Sequence, residues 1–507
     1  MTEAFRTYTH EHGGRVILLF LLFLLAIYNL ATLGFTSFAI VCIIPLIVIV
    51  VYIAFRWQNA LFWGLIIVNY FLHLCNKNEW LPSGTPLSIY NEFLEIALIA
   101  IALIDLRKNY HWGRSMNLMT FAVLLWTIIC FLELFNDTCN LGINVGAWFA
   151  GFRLMAIQLF YFILVFSLYI NKPKTLLNYL RIWACLSLFS VYWTYKQEYI
   201  GLTSMENAWL YGSGATTHIV NGIIRYWSTF SEAATYGCNA AATSVAFLLI
   251  GLTSKFKIDR IFFLLTSAAV LWGMFQSGTR TAIGCFFAGL MVYVILSKSV
   301  KMAVPVILFG IISFCLLAFT NIGQGNNQIR RMRSAFNKDD ASANTRETNK
   351  ATMAKYLKDA PWGIGISIRS GDVPARNKYV ILSNIAPDSE YVYMWIHTGT
   401  IGVSVFAFSM LLMFVGGCRV VLFKLKNKSL IGIGAGLCCA FAAIQLGGYL
   451  NQVLYQYPNG LIFFGGLAIV YVLPYLEKDW DIYEQERIAK EEEKKRLKLE
   501  RKAAERV

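Results

Sequence analysis

From Val16 onward the chain runs through one apolar stretch after another, each about 20 residues long, the length that crosses the hydrocarbon of a bilayer as a helix. No other feature constrains the fold as much. Lipid offers no partner to a free backbone N–H or C=O, so a spanning segment must satisfy those groups within itself. Of the 507 residues 57% are hydrophobic and 14% charged, whereas soluble proteins carry about 25% charged residues; a string of soluble domains is excluded. The runs fall at 16–35, 36–55, 59–75, 89–105, 116–135, 146–170, 176–194, 233–253, 261–277, 282–297, 302–320, 390–415, 430–450 and 459–476. They predict an all-α polytopic membrane protein with about 14 transmembrane helices. The first run follows Arg6 and Arg15, is too long for a signal-peptide core and lacks a small-residue cleavage site, so it reads as an uncleaved span.

Forty-four Lys and Arg against 29 Asp and Glu give a formal charge of +15, which must lie in the connections. There it sets orientation and attracts lipid headgroups and phosphates; no nucleic-acid partner is expected. With a cytoplasmic N-terminus, even-numbered spans end at Arg56, at Arg107, Lys108 and Arg114, at Lys172 and Lys174, at Lys255, Lys257 and Arg260, at Lys298 and Lys301, and at Arg419, Lys424, Lys426 and Lys428. Every one of these ends is basic, while the short loops 136–140 and 451–459 contain no Lys or Arg. Both termini are therefore expected in the cytoplasm.

The resulting domain plan is 1–320 for spans one to eleven with an outer loop at 195–232, 321–389 for a large extracytoplasmic loop, 390–476 for spans twelve to fourteen, and 477–507 for a charged tail. The large loop is rich in Lys and Arg, including Arg330, Arg331, Arg333 and Arg346, and its segment 344–357 reads as a helix ending near Pro361, Trp362 and Gly363. It is either a solvated cap or a surface for an anionic substrate. The tail holds ten acidic and ten basic residues, many spaced i,i+4, and predicts a solvent-exposed helix. Most of the eleven cysteines lie inside apolar runs and act as small hydrophobes. Only Cys75 and Cys139 fall in loops on a common face, where a disulfide is conceivable; no CxxC or HExxH metal motif occurs.

Charges in or beside spans are costly and so mark candidate sites. The segment IIRYWSTFSEAATYGCNA carries Arg225 and Glu232, the turn FQSGTRTAI carries Arg280, and APDSEYVYMWIHTGTIGVSVF carries Asp388, Glu390 and, about two turns deeper, His397. All three segments fall on the outer face of the topology. The bland reading makes each arginine a side chain snorkelling to headgroups and Asp388 a helix cap. The functional reading uses the arginine fork, which stays ionised and gives paired hydrogen bonds to phosphate; two arginines could clamp a diphosphate in place of a metal ion, with a carboxylate or histidine as general base. Glu92, Glu95, Glu133 and Arg153 also lie within spans, most of them near outer span ends where they could pair with each other, and read as structural.

The order of these segments resembles the bacterial O-antigen ligase and O-antigen polymerase superfamily. The pattern R-x-x-G-T-F of that family is similar to Arg225-Tyr226-Trp227-Ser228-Thr229-Phe230, its S-x-S/T-R-G/T-A turn to Ser277, Thr279, Arg280, Thr281 and Ala282, and its later signatures to Asp388 through Val392 and to Gly399, Ile401 and Gly402, with Arg346 and PWGIGI between. The resemblance covers roughly 222–403. It implies a GT-C-like membrane glycosyltransferase that needs no metal or other cofactor and takes an undecaprenyl-diphosphate-linked oligosaccharide at the periplasmic face of the bacterial inner membrane. Arg225 and Arg280 would bind the diphosphate, with Arg346 as a further contact, and Asp388, Glu390 and His397 are the candidate catalytic residues. Ligases of the family carry histidine where this chain has Asp388, a departure that favours a polymerase of O-antigen or capsular repeat units. A ligase transferring glycan to lipid A-core or protein is the alternative, and a lipid-linked oligosaccharide flippase is the alternative from another class. Besides the lipid-linked glycan, membrane lipids and a chain-length regulator protein are the expected partners.

Overall fold

Every apolar run from residue 59 onward folds into a helix. The computed structural model describes 52–81, 86–322 except 109, 221, 298 and 299, 341–504, and scattered positions in 14–28 and 325–333. The first two predicted spans, 16–35 and 36–55, lie almost wholly outside the described residues. The helices are α1 (Gln58–Lys77), α2 (Leu87–Ile104), α3 (Leu118–Leu132), α4 (Val145–Tyr169), α5 (Pro173–Tyr195), α6 (Ser204–Tyr211), α7 (Ala233–Thr253), α8 (Lys257–Gln276), α9 (Arg280–Leu296), α10 (Val300–Phe319), α11 (Ala341–Leu357), α12 (Glu390–Arg419), α13 (Lys428–Leu450) and α14 (Gly465–Ala504). Among the described residues nine helices are long and apolar enough to cross a membrane, and Arg280–Leu296 and Val304–Leu316 are shorter apolar helices. The protein is thus an all-α polytopic membrane protein; the one described piece of sheet pairs Ile219 with Ile224 and Val220 with Ile223.

Small residues let two of the helices lie deep inside the bundle. The apolar window of α7 is 89% buried and that of α13 78%, against 33–44% for α1 to α4. Their sequences, AATYGCNAAATS and GIGAGLCCAFAA, let backbones approach where larger side chains would hold them apart. Of the buried acidic residues only Glu92 pairs with the intramembrane arginine; Glu95 and Glu133 are met by side-chain amides instead. Arg153 bonds Glu92 at 2.5 Å, Glu95 accepts from Asn91 at 2.8 Å and Gln158 at 2.7 Å, and Glu133 accepts from Asn136 at 2.7 Å. Within α4 a π turn at Arg153–Ile157 accompanies a Met155 carbonyl that accepts from Trp126 and Tyr455.

At one end of the bundle, polar bonds tie α14 to neighbouring helix ends and basic loops. Asp259 bonds Arg181 at 2.6 Å and Arg487 at 2.8 Å, Glu484 pairs with Lys255, and Glu477 accepts the backbone N–H groups of Lys426 and Asn427 at 2.6 Å. This corrects the expectation of a wholly solvated tail. The helix of the last span continues straight into it, and Trp480 and Glu484 are buried. Neither Cys75 nor Cys139 is in a disulfide; Cys139 instead packs into the apolar core of the large loop with Met353, Leu357, Ile364 and Leu382.

That loop is anchored by a break in α12. Gly399 has φ 65° and ψ −166°, a conformation open essentially to glycine alone. The interrupted helix leaves backbone groups unpaired, and the segment PWGIG fills them: Ile364 N–H donates to the Ile396 carbonyl at 3.0 Å, Gly365 N–H to that of His397 at 2.9 Å, and Ile401 N–H to that of Pro361 at 3.2 Å. A Cβ on Gly363 would stand 2.6 Å from the Ile396 oxygen, so the approach needs glycine on both sides. Gly399→Ala should lower stability by about 1–3 kcal/mol from backbone strain alone, and by more once its methyl meets the Pro361 carbonyl. Thermal unfolding in detergent checks this against Gly310→Ala, where a Cβ meets only Phe287 at 3.9 Å; equal unfolding temperatures would show that the break is dispensable.

Candidate functional site

The first arginine does not snorkel. Arg225 follows the short hairpin, and its side chain turns onto the loop between α8 and α9. Its guanidinium donates to the Thr217 carbonyl at 2.9 Å, the Thr279 hydroxyl at 3.0 Å and the Ser277 carbonyl at 3.4 Å. Two of the three sequence segments therefore meet. The RYWSTF segment is held from behind. Ser228, with φ 54°, donates its N–H to Gln197 at 2.9 Å and its hydroxyl to the Ser190 carbonyl at 2.6 Å. Lys77, at the end of α1, donates to the Ser231 carbonyl at 2.6 Å with its ammonium 3.4 Å from the Trp209 ring centroid. Glu232 precedes α7 and is exposed.

The SGTRTA turn is rigid for local reasons. The Ser277 hydroxyl donates to the Met274 carbonyl at 2.7 Å and accepts the Thr279 N–H at 3.2 Å, while the Thr279 hydroxyl donates to the Ala233 carbonyl at 2.9 Å. Gly278 supplies the positive φ of 55°. Arg280 opens α9 half-buried, and the next residue, Thr281, accepts from the Asn451 amide at 2.9 Å.

Asn451 carries the connection to the third segment. Its carbonyl accepts the Glu390 N–H at 3.4 Å, and the Leu454 N–H donates to the Glu390 carboxylate at 3.2 Å. The carboxylate of Glu390 is thus buried against the 451–459 segment. The capping role belongs to Ser389, whose hydroxyl accepts the Val392 N–H at 3.1 Å, which leaves the Asp388 side chain free of that task. Asp388 faces Arg346 of α11 at 3.8 Å across a small cleft that Asn349, Lys350 and Tyr449 also line. Arg225 and Arg280 are not among its lining residues. His397 lies elsewhere again, buried beside the α12 break, its Nδ1 hydrogen-bonded to the Gly365 carbonyl at 3.0 Å and its ring 4.3 Å from that of Tyr393.

Sequence reasoning missed Lys77, Tyr449 and the 451–459 segment, which reads as a short loop without Lys or Arg. Its signal is in the residues that bracket it. Asn451 bonds Thr281, and Asn459 accepts from Asn239 at 2.8 Å and donates to the Val453 carbonyl at 2.9 Å, so the segment is bonded at both ends, with Val453, Leu454 and Asn459 buried.

These features define a multi-pass membrane protein whose charged motif residues are joined through loops at one end of a helix bundle. Residues 262–407, under a third of the chain, match the family model described as O-antigen ligase, and that part of the chain is similar to this family. The match takes in Arg280, Arg346, the PWGIG segment, Asp388 and the α12 break, and leaves Arg225 and Asn451 outside it. No curated protein matches the chain.

His218 gives the loop around Arg225 a pH dependence. Burial, with the positive charges of Lys77 and Arg225, pushes its imidazole down to about 3, and its Nε2 accepts the Ala233 N–H at 3.1 Å. Unfolded, it would take a proton near 6.5. Because the folded value is depressed, the stability it contributes is complete above about 6.5 and declines as pH falls from there toward 3, by roughly 1.4 kcal/mol per pH unit. The Trp209 and Trp227 rings lie 4.7 and 5.4 Å from the imidazole. The fluorescence difference between wild type and Trp209→Phe should therefore titrate with a midpoint near 3; a midpoint near 6.5 would mean that His218 is solvated.

Proposed function

We propose that the protein is a metal-independent glycosyltransferase that polymerises undecaprenyl-diphosphate-linked oligosaccharide repeat units into O-antigen or capsular polysaccharide, at the periplasmic face of the bacterial inner membrane, with both termini cytoplasmic. The observation that carries this reading is the continuous hydrogen-bonded path from Arg225 through the Ser277–Thr281 turn to Asn451, Glu390 and the adjoining Asp388. In the reaction, an acceptor sugar hydroxyl attacks the anomeric carbon of the lipid-linked chain, a new C–O bond forms and the bond to the diphosphate breaks. Undecaprenyl diphosphate leaves with its charge held by the forks of Arg225 and Arg280. The hydroxyl proton passes to Asp388, which Arg346 orients across the cleft; Glu390 holds the Asp388 segment against the 451–459 loop. A chain-length regulator protein is the expected partner.

The second reading is a ligase, favoured by the description of the matching family model, in which the same donor chemistry passes the finished glycan to lipid A-core or protein. A flippase requires broken helices that line a path across the membrane. The break in α12 is instead occupied by loop backbone, which counts against that use.

Purified protein supplied with lipid-linked repeat units alone separates these readings. A polymerase forms longer lipid-linked products without any other acceptor. A ligase acts only when core acceptor is added, and a flippase makes no new glycosidic bond. Asp388→Asn should reduce elongation by roughly 10²- to 10⁴-fold, the scale of general-base catalysis, and Arg280→Lys should abolish most activity because lysine lacks the paired donors. Wild-type elongation by Asp388→Asn would exclude that carboxylate as the base.

A further inference from the structure

The cleft between α11 and α13 holds a feature that proton transfer does not use. Tyr449, in the last turn of α13, is 52% exposed although it sits among membrane helices and a folded loop. Its ring is fixed at one side by Tyr391, edge-on at 5.8 Å, and Tyr391 is itself tethered by a hydrogen bond to Gln445 at 3.2 Å. The Lys350 ammonium stands 5.4 Å from the ring centroid. Tyr449 thus lines the cleft with an ordered aromatic ring.

The other walls supply what a flat ring lacks. Asn349 and Arg346 project from α11, and Asp388 from the segment before α12. Amide, guanidinium and carboxylate groups are planar forks, each able to engage two neighbouring oxygens at once. One open aromatic face together with several planar polar groups complements a pyranose, which presents a C–H face on one side and vicinal hydroxyls around its edge. The cleft's place in the chain also fits, for Tyr449 is two residues before Asn451, which bonds the Thr281 beside Arg280.

We propose that this cleft is the subsite for a hexopyranose ring of the acceptor, stacked on Tyr449 with its hydroxyls held by Asn349 and Arg346 and one hydroxyl directed at Asp388; the assignment of the ring to the acceptor rests on the glycosyltransferase reading above. Tyr449 is then a binding residue that decides which sugars are accepted, and it requires a flat ring there and not merely apolar volume.

The test measures binding without turnover. The probe is the free oligosaccharide released by mild acid from the lipid-linked repeat unit of cells that produce the protein, titrated into full-length protein in detergent by saturation-transfer NMR, with undecaprenyl diphosphate titrated separately. Tyr449→Leu should weaken the oligosaccharide about tenfold, near the upper range for aromatic stacking, while Tyr449→Phe restores it and undecaprenyl diphosphate affinity stays the same. Asn349→Ala, on the opposite wall, should weaken the same oligosaccharide and serves if the leucine variant does not fold. Unchanged oligosaccharide affinity in these variants, or no binding to wild type, would overturn the subsite. A loss confined to undecaprenyl diphosphate would overturn it too, assigning the cleft to the donor. Tyr449-dependent glycan binding in a protein that forms no glycosidic bond would instead sink the glycosyltransferase reading and leave the sugar site standing.

Discussion

Backbone hydrogen bonding is the constraint on which the rest of the structure depends. A helix that breaks near a membrane must have its exposed N–H and C=O groups met by protein, because lipid cannot meet them. In α12 the break at Gly399 is met by Pro361–Gly365 of the large loop, through three backbone hydrogen bonds and one to the His397 ring. Residues 361–365 of the loop are thereby fixed to the bundle. Its helix α11 faces the start of α12, which is what places Arg346 opposite Asp388.

The 451–459 segment does comparable work between the other motifs. It enters from the end of α13, reaches Thr281 through Asn451, Glu390 through Leu454 and the π turn of α4 through Tyr455, and is closed by Asn459. Each contact uses a backbone group or a side-chain amide, so the segment is a brace between helices. Its burial also explains the environment of Glu390, whose carboxylate accepts a backbone N–H in place of facing solvent.

The helices were legible in the sequence because hydrocarbon thickness sets their length and apolar character sets their place, with no need to know what packs against what. The ends of α14 and α12 were not. The charges of 477–507 read as a solvated face, yet Glu477 and Glu484 meet groups of the neighbouring loops and Arg487 meets Asp259 of α8, pairings that depend on tertiary approach. For the candidate site, Arg225 and the SGTRTA turn were visible as polar groups in costly positions, and the structure brings them into contact. Asn451 and Tyr449 were not visible, since an uncharged amide and an aromatic at a span end have no periodicity or charge to single them out. His397 was conspicuous as a lone histidine in a span, and its ring proves to be bonded to the inserted loop.

The central claim is that Arg225, Arg280 and Asp388 serve one reaction centre. Electron cryomicroscopy of the purified protein with undecaprenyl diphosphate bound tests it most directly. The account predicts the diphosphate between the guanidinium groups of Arg225 and Arg280, with the cleft at Asp388 opening beside its leaving oxygen. A diphosphate held at another face of the bundle, touching neither arginine, would contradict it.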